Sequence, residues 1–380
     1  MARLLENLYR KNPVKAESIT SEVASLASRY TPDRSLEVYL ASLPVESVLY
    51  RPKNPRFRRN WVFSHFRSAY RKLDNKIVLR GSPNDLPADE EKRIRKLLQP
   101  HANEVGAIVL NSLKDGPLFR AAYSLYKRAH HADKKVVAIL AMTEPMQKFT
   151  GWLRTHSNAT RKLLPFILVF NETEAHKFAK KLKSKTKPFM KDDELPDIRL
   201  FARMAVDILS HFDPKSAPRI YVTLGSRGSL GVDGFGNVVY VSNFSKRGAT
   251  IYDTNACGDA YCAAVALLEW ASRHGYENIA KINYATNNNP DADEMLYFMA
   301  VATAAAYCKA TNRRGRVYAA DVRDLLEHNH LASVILPKVT QLTNLRKDNR
   351  PDGVDENFRL REPAKARFVG VTEQLSRLIT

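Results

Sequence analysis

Four short apolar runs constrain this chain more than any other feature. Ala107-Ile-Val-Leu110, Val136-Val-Ala-Ile-Leu140, Phe166-Ile-Leu-Val-Phe170 and Ile220-Tyr-Val-Thr-Leu224 are apolar at nearly every position. A strand with one wet face alternates polar and apolar residues; a strand buried on both faces does not. The runs are spaced by stretches with helical periodicity over Ala88–Leu98, Leu118–His130, around Met146–His156 and around Ile198–Phe212. Strands that alternate with helices form a parallel sheet with helices on both faces. A hairpin is expected next, from Leu230-Gly-Val-Asp233 through the turn Gly234-Phe-Gly-Asn237 to Val238-Val-Tyr-Val241. Helices follow over Gly258–Gly275, Asp293–Ala310 and Ala319–His328.

The ends read differently. Leu4, Leu5 and Leu8, then Ile19, Val23 and Leu26, then Leu36–Leu43 predict short helices within residues 1–45. Val/Tyr/Phe/Trp clusters broken by Pro52 and Pro55 predict β structure over 46–80. The tail beyond 342 is rich in Asn, Arg, Asp and Pro and reads as irregular or as an appendage. The expected organisation is a helical segment 1–45, a basic β segment 46–80, an α/β core 81–332 and a C-terminal extension 333–380.

With 380 residues, 44% hydrophobic and 26% charged, the chain has ordinary globular composition, which excludes fibrous and disordered classes. It has no apolar run long enough to cross a membrane as a helix. The first residues lack the apolar core of a secretory signal, and Glu6, Glu17 and Glu22 argue against a transit peptide. Cys257, Cys262 and Cys308 lack metal-ligand spacing and predict a reducing, cytoplasmic setting.

The charge is uneven: 60 Lys and Arg stand against 40 Asp and Glu, for a formal net charge of +20. Residues 51–80 hold ten Lys/Arg and one acid, Asp74, interleaved with Phe57, Trp61, Phe63, Phe66 and Tyr70. Three readings stay open for that stretch. They are a solvated β segment with its aromatics turned inward, a nucleic-acid or acidic-partner surface, and a hold on an anionic small substrate. A second basic run, Lys177–Lys191, reads as a helix end passing into a loop with a solvated face.

The chemistry is densest at Asp253-Thr-Asn-Ala-Cys-Gly-Asp259, which leads into an apolar helix. Small residues at the loop-to-helix junction let successive backbone N–H groups point at an anion. A carboxylate there, Asp259, is suited to take a proton from a substrate hydroxyl. The structural alternative is an N-capping Asp ahead of a buried helix. Two further elements follow buried strands. Thr223-Leu-Gly-Ser-Arg-Gly-Ser-Leu-Gly231 supplies a Gly-rich turn for nucleotide phosphates. Asn171-Glu-Thr-Glu174 supplies an amide and a carboxylate at a strand end, suited to hydrated Mg²⁺. All three lie at strand carboxyl ends, where open α/β sheets bind ligands.

Asn171 with Glu174, Thr223 with Gly225 and Gly228, and Asp253 through Asp259 occur in an order that resembles the ribokinase/PfkB carbohydrate kinase family. Val301-Ala-Thr-Ala-Ala-Ala-Tyr307 is similar to that family's Ala-rich helix beside the adenine, and Thr311-Asn-Arg-Arg-Gly315 to its closing turn. Residues 67–80 resemble the strand leaving the lid in the heptose-phosphate kinase branch. The resemblance implies a three-layer α/β/α ribokinase-like parallel sheet with a small β lid and an atypical N-terminal part. It implies ATP-dependent transfer to a hydroxyl of a sugar or sugar phosphate. Asp259 would be the general base, with the amides of Ala256, Cys257 and Gly258 as anion hole. Asn171, Glu174, Thr223, Gly225, Gly228 and Ala302 would meet ATP, and Glu174 would reach Mg²⁺ through water. Asp253 and Asn255 would support the substrate or a monovalent cation. A homodimer, or a partner chain completing the sheet, is the expected assembly, with no membrane involved.

Two departures motivate an alternative. The family's Gly-Ala-Gly-Asp stands here as Ala256-Cys-Gly-Asp259, and the chain has no Gly-Gly dipeptide, so the N-terminal substrate element is missing. The alternative is a catalytically impaired kinase-fold protein that works as a nucleic-acid-binding or assembly component.

Overall fold

Side-chain parity along the strands decides the architecture, because successive residues of a strand point to opposite faces. The computed structural model describes Val62–Phe66 and Lys76–Arg80 as backbone, isolated positions within 92–99, and most of 107–111, 124–130, 137–141, 166–189, 196–212, 218–244, 250–273, 290–312, 317–328 and 331–366. The helices expected in 1–45 and over Met146–His156 lie outside the described residues.

The described strands are β1 (Val62–Phe66), β2 (Lys76–Arg80), β3 (Ala107–Asn111), β4 (Val137–Ala141), β5 (Phe166–Asn171), β6 (Arg219–Thr223), β7 (Ser229–Asp233), β8 (Val238–Val241), β9 (Leu331–Leu336) and β10 (Lys365–Ala366). The helices are α1 (Glu172–Lys181), α2 (Ile198–Leu209), α3 (Cys257–Arg273), α4 (Pro290–Thr311), α5 (Ala319–His328) and α6 (Val339–Thr343), with a further helical stretch at 124–130. Strands β1 and β2 pair antiparallel, from Val62↔Arg80 to Phe66↔Lys76, as a two-stranded sheet.

The other eight strands form one sheet in the order β10-β9-β8-β7-β6-β5-β4-β3. The four apolar runs become β3 to β6, and they are parallel. From β6 onward the sheet is antiparallel. The reversal has a local cause: the β6–β7 and β7–β8 connections are too short for a crossover helix. They turn through glycines with positive φ, at Gly225 (61°), Gly228 (94°) and Gly236 (78°). The expected α/β sheet is therefore mixed rather than purely parallel, with β9 added as a strand that the sequence pattern did not indicate.

Parity sorts the core into two layers. Leu168, Phe170, Ile220, Val222, Leu230, Val232 and Tyr240 pack with Ala175 and Phe178 of α1, Phe201, Met204 and Ile208 of α2, and Tyr126 of 124–130. Ile167, Val169, Tyr221, Val239 and Val241 pack on the opposite side with α3, α4 and α5. The result is three layers, α/β/α. Helix α4 is buried at every position from Met295 to Ala305, all round its circumference, as befits a helix clasped by neighbours on every side.

Part of the tail is irregular chain packed on the core. Val354, Phe358 and Leu360 are buried in the α1–α2 core. Ile198 N–H donates to the Phe358 carbonyl at 2.9 Å, and the Arg199 guanidinium lies 3.2 Å over the Phe358 ring. Composition concealed this, because three apolar residues among polar neighbours give no periodicity.

At the other end of the sheet from the strand carboxyl edge, a charged cluster is buried under α3 and α4. Arg219 donates to Glu269 at 3.0 Å and also to Glu294, while Tyr221 Oη donates to Glu269 at 2.8 Å. Ser272 bonds to Glu294, and Arg273 lies 3.7 Å from Glu269. Burial alone would pull the Arg219 guanidinium down, but Glu269, Tyr221 and Glu294 together hold it well above its ordinary value. The cluster ties β6 to α3 and α4.

Candidate functional site

Helix α1 begins where β5 ends. Asn171, the last residue of β5, caps the helix: its Oδ1 accepts from Glu174 N–H at 2.9 Å, and Glu174 Oε2 accepts from Asn171 N–H at 2.9 Å. This capping box satisfies two backbone donors that the first turn of a helix leaves open. Asn171 is exposed and Glu174 half-buried, so the cap faces the strand edge.

The register then sets a row across the sheet. Asn171 pairs with Thr223, Thr223 with Ser229, and Ser229 with Val241. Thr223 Oγ1 donates to the Phe170 carbonyl at 3.3 Å, which ties β6 to β5 at this edge. By parity Asn171 shares a sheet face with Ile167 and Val169, and Thr223 with Tyr221, the face that α3 and α4 cover.

Between Thr223 and Ser229 the chain makes a single tight turn, Gly225–Arg227. The two glycines of this motif do different work. Gly225 is exposed at φ 61°, and a Cβ there would meet nothing within 4 Å. Gly228 is buried at φ 94°, and a Cβ there would stand 2.0 Å from the Val241 carbonyl oxygen. Gly225 leaves backbone open to a ligand. Gly228 lets β7 leave the turn against β8.

The first turn of α3 carries the third motif. Tyr261 Oη donates to Ser229 Oγ at 3.1 Å, and Ser229 Oγ lies 3.5 Å from Thr303 Oγ1 of α4. All three side chains are buried, so the start of α3 is held to the same row that holds Thr223 and Asn171. Burial raises the Tyr261 phenol, which stays a neutral donor. Gly258 and Asp259 are exposed, Cys257 is half-buried, and a Cβ on Gly258 would meet nothing within 4 Å. The Cys257 N–H reaches the Thr254 carbonyl at a long 3.4 Å. Burial, with the nearby Asp259 carboxylate adding to it, pushes the Cys262 thiol up to about 12.

The structure thus brings Asn171, Glu174, Thr223, Gly225, Gly228 and the α3 start, Cys257 to Asp259, to one end of one sheet. Asp253, Asn255 and Ala256 lie outside the described residues. Ala302 has no accessible surface and sits in the core of α4. Ser229, Tyr261 and Thr303, which join the motifs, were not anticipated. A tyrosine two positions after the candidate base carries no mark of its partner, and a serine just after a glycine turn carries none either. Among the described residues, no three His, Cys, Asp or Glu side chains gather as a metal-binding group.

No family model matches the chain, and no curated protein matches it in sequence. Several solved structures are similar in fold. The ribokinase of Giardia lamblia has a TM-score of 0.45 at 17% identity over 67% of this chain and 68% of that one. The ribokinase of Cryptococcus neoformans var. grubii serotype A in complex with ADP has a TM-score of 0.42 at 16% identity, over 66% of this chain and 67% of that one. Phosphofructokinase-2 of Escherichia coli, with substrates and products, has a TM-score of 0.39 at 14% identity, over 66% and 65%.

Proposed function

We propose that the chain is an ATP-dependent phosphotransferase acting on a hydroxyl of a sugar or sugar phosphate, of the ribokinase/PfkB type and nearest the heptose-phosphate branch. One observation carries this: the continuous row Asn171–Thr223–Ser229, with Tyr261 pinning the start of α3 to it, gathers three sequence motifs at one strand edge. Ordinary packing needs no such gathering of a helix N-terminus, an open glycine turn and an exposed carboxylate.

The residues present fit a nucleotide with a hydrated divalent cation. Gly225 and Gly258 have open space where a side chain would stand, so phosphate oxygens can approach the backbone closely. Asn171 and Glu174 offer an amide and a carboxylate beside them. In the absence of a ligand cluster among the described residues, Mg²⁺ would be held mainly by water and phosphate, with Glu174 acting through water. Bound MgATP supplies the phosphoryl group to be transferred.

The chain's own residues do the rest. Asp259 takes the proton from the acceptor hydroxyl as that oxygen becomes the nucleophile. The amides of Cys257 and Gly258, at the positive end of α3, and with them that of Ala256 stabilise the charge that develops on the moving group. Asp253 and Asn255 support the acceptor or a monovalent cation. The test is turnover of ATP against a panel of sugars, sugar phosphates and nucleosides. Asp259→Asn is expected to lower kcat by about 10²–10⁴ with little change in nucleotide affinity. Turnover that survives the substitution refutes the assignment of the base.

The second reading, a catalytically impaired binding component, is favoured by the capping box. Asn171 and Glu174 are bonded to each other as a helix cap, which is a sufficient structural reason for both. Absence of turnover with every acceptor, together with retained nucleotide binding, would select it.

A further inference from the structure

The two helical layers differ in charge. On the layer of 124–130, α1, α2 and α6, the exposed ionised residues among those described are all Lys or Arg apart from Asp348 and Glu356. On the layer of α3, α4 and α5 the exposed ionised residues are Asp259, Asp291, Asp321 and Asp324, with no exposed Lys or Arg among the described residues. The positive layer is densest at the end of α1 and the turn beyond it, where Lys177, Lys180, Lys181, Lys185 and Lys187 are exposed, and Arg203 of α2 is exposed on the same layer. From Lys177 to Lys187 the sequence has six lysines and no acid.

This surface is held in place. Leu182 N–H donates to the Phe178 carbonyl at 3.1 Å and Ser184 N–H to the Ala179 carbonyl at 3.0 Å, closing the helix end. Ser184 Oγ bonds to Asp207 of α2. Phe189 packs edge-on to Phe201 with centroids 5.5 Å apart, and its carbonyl accepts from Asp197 N–H at 2.7 Å. Leu182 and Phe189 are buried in the core, so Lys185 and Lys187 project from an anchored turn.

Cations in the last turn of a helix favour its dipole, which accounts for Lys180 and Lys181. It does not account for Lys185, Lys187 and Arg203, which lie outside that turn. Lys177, Lys180 and Lys181 also stand three and four residues apart, where like charges repel. An array of this kind is stabilised by a partner with regularly repeated negative charge.

The chemistry narrows that partner. Lysine is a compact, strongly hydrated point charge that suits phosphate contacts, which fix position on a duplex without carrying sequence information. The exposed large apolar residues among those described are Val109, Phe235, Ile251, Tyr252 and Tyr318, none of them on α1, its following turn or α2. Among the described residues the surface therefore offers no platform for stacking unpaired bases, no apolar face for insertion into a membrane and no apolar core of a protein interface. Helix α1 runs for 10 residues away from Asn171, so its basic end lies about 15 Å from the strand edge where the proposed cleft opens.

We propose that the surface formed by α1, the turn after it and α2 binds the phosphate backbone of double-helical nucleic acid, independently of the cleft. The experiment is fluorescence anisotropy of the full chain with a short labelled RNA duplex and with the DNA duplex of the same sequence. Five neutralised phosphates predict a slope of log K against log salt of about −4 to −5. Replacing Lys180, Lys181, Lys185 and Lys187 together by Gln is expected to reduce that slope by about 3–4 and to weaken binding on the order of 10²–10³-fold at physiological salt. Equal binding of RNA and DNA supports backbone charge as the shared chemistry, and preference for RNA supports an A-form geometry on the same surface. An unchanged slope in the fourfold variant overturns the proposal, as does a single strand that binds more tightly than the duplex. So does binding to phosphatidylserine vesicles or polyglutamate that depends on these lysines when duplex binding does not. An unchanged thermal midpoint in the fourfold variant checks that it is folded, since all four side chains are exposed.

Discussion

Gly225 and Gly228 stand at the two ends of one tight turn, yet replacing each by Ala is expected to give very different losses of stability. At Gly228 the new methyl group would lie 2.0 Å from the Val241 carbonyl oxygen and 2.7 Å from Ser242 Cα. Ordinary contact begins near 3.5 Å, so β8 would have to move by more than about 1 Å. That displacement acts on a buried interior strand, paired with β7 and β9, where overpacking costs about 1–3 kcal/mol. The backbone at φ 94°, ψ −136° adds about 1–3 kcal/mol, because a side chain rarely tolerates that region. The sum is about 4 kcal/mol for Gly228→Ala. At Gly225 the methyl group meets nothing, and the cost is that of a left-handed residue, about 1–2 kcal/mol. Equilibrium denaturation in urea measures both. A Gly228→Ala variant no less stable than Gly225→Ala would refute the claim that β8 sets the identity of residue 228. Gly225→Ala should instead reveal itself in nucleotide affinity.

Three further outcomes are expected. Removing Glu269 as Glu269→Ala leaves the buried Arg219 guanidinium and Tyr221 hydroxyl short of their acceptor, and should cost about 3–5 kcal/mol in denaturant unfolding. Burial pushes Glu294 up, but Arg219, Ser272 and Arg273 outweigh it and hold its carboxyl below the usual range. The stability from that group is present above the unfolded carboxylate value of about 4.3 and is lost as pH falls through the lower folded value. Glu294→Gln should therefore flatten the acid limb of the stability–pH curve, and an unchanged limb would contradict the pairing. Burial first, and then Asp259 at Cys262 and Asp321 at Cys308, pushes both thiols up to about 12, whereas Cys257 is half-buried at the first position of α3. A disulfide reagent under native conditions should modify one thiol, lost in Cys257→Ser, with all three reacting in denaturant.

The four apolar runs made β3 to β6 and their parallel pairing legible, because burial on both faces removes polar residues from a strand and leaves a pattern that is local in sequence. Helix ends were legible for the same reason: Ala319–His328 and the hairpin strand Val238–Val241 carry their own boundaries. The site was legible as a set of motifs, since a glycine that needs a positive φ and a carboxylate at a helix start are chemical facts about single positions.

Other features depend on partners far away in sequence. Phe358 and Leu360 belong to the core because α2 offers them a surface. Arg219, Glu269 and Glu294 form one buried cluster across three elements, and no spacing between them announces it. Gly228 reads as a phosphate-loop glycine until Val241 is seen beside it. Ser229 and Tyr261 read as ordinary residues until register and helix packing bring them within 3.1 Å. The residue types and their local periods determine which elements form and what chemistry they carry. Tertiary structure decides which of those elements share an edge, which charges are buried together and which helical layer turns its lysines outward, because those outcomes rest on contacts between residues tens of positions apart.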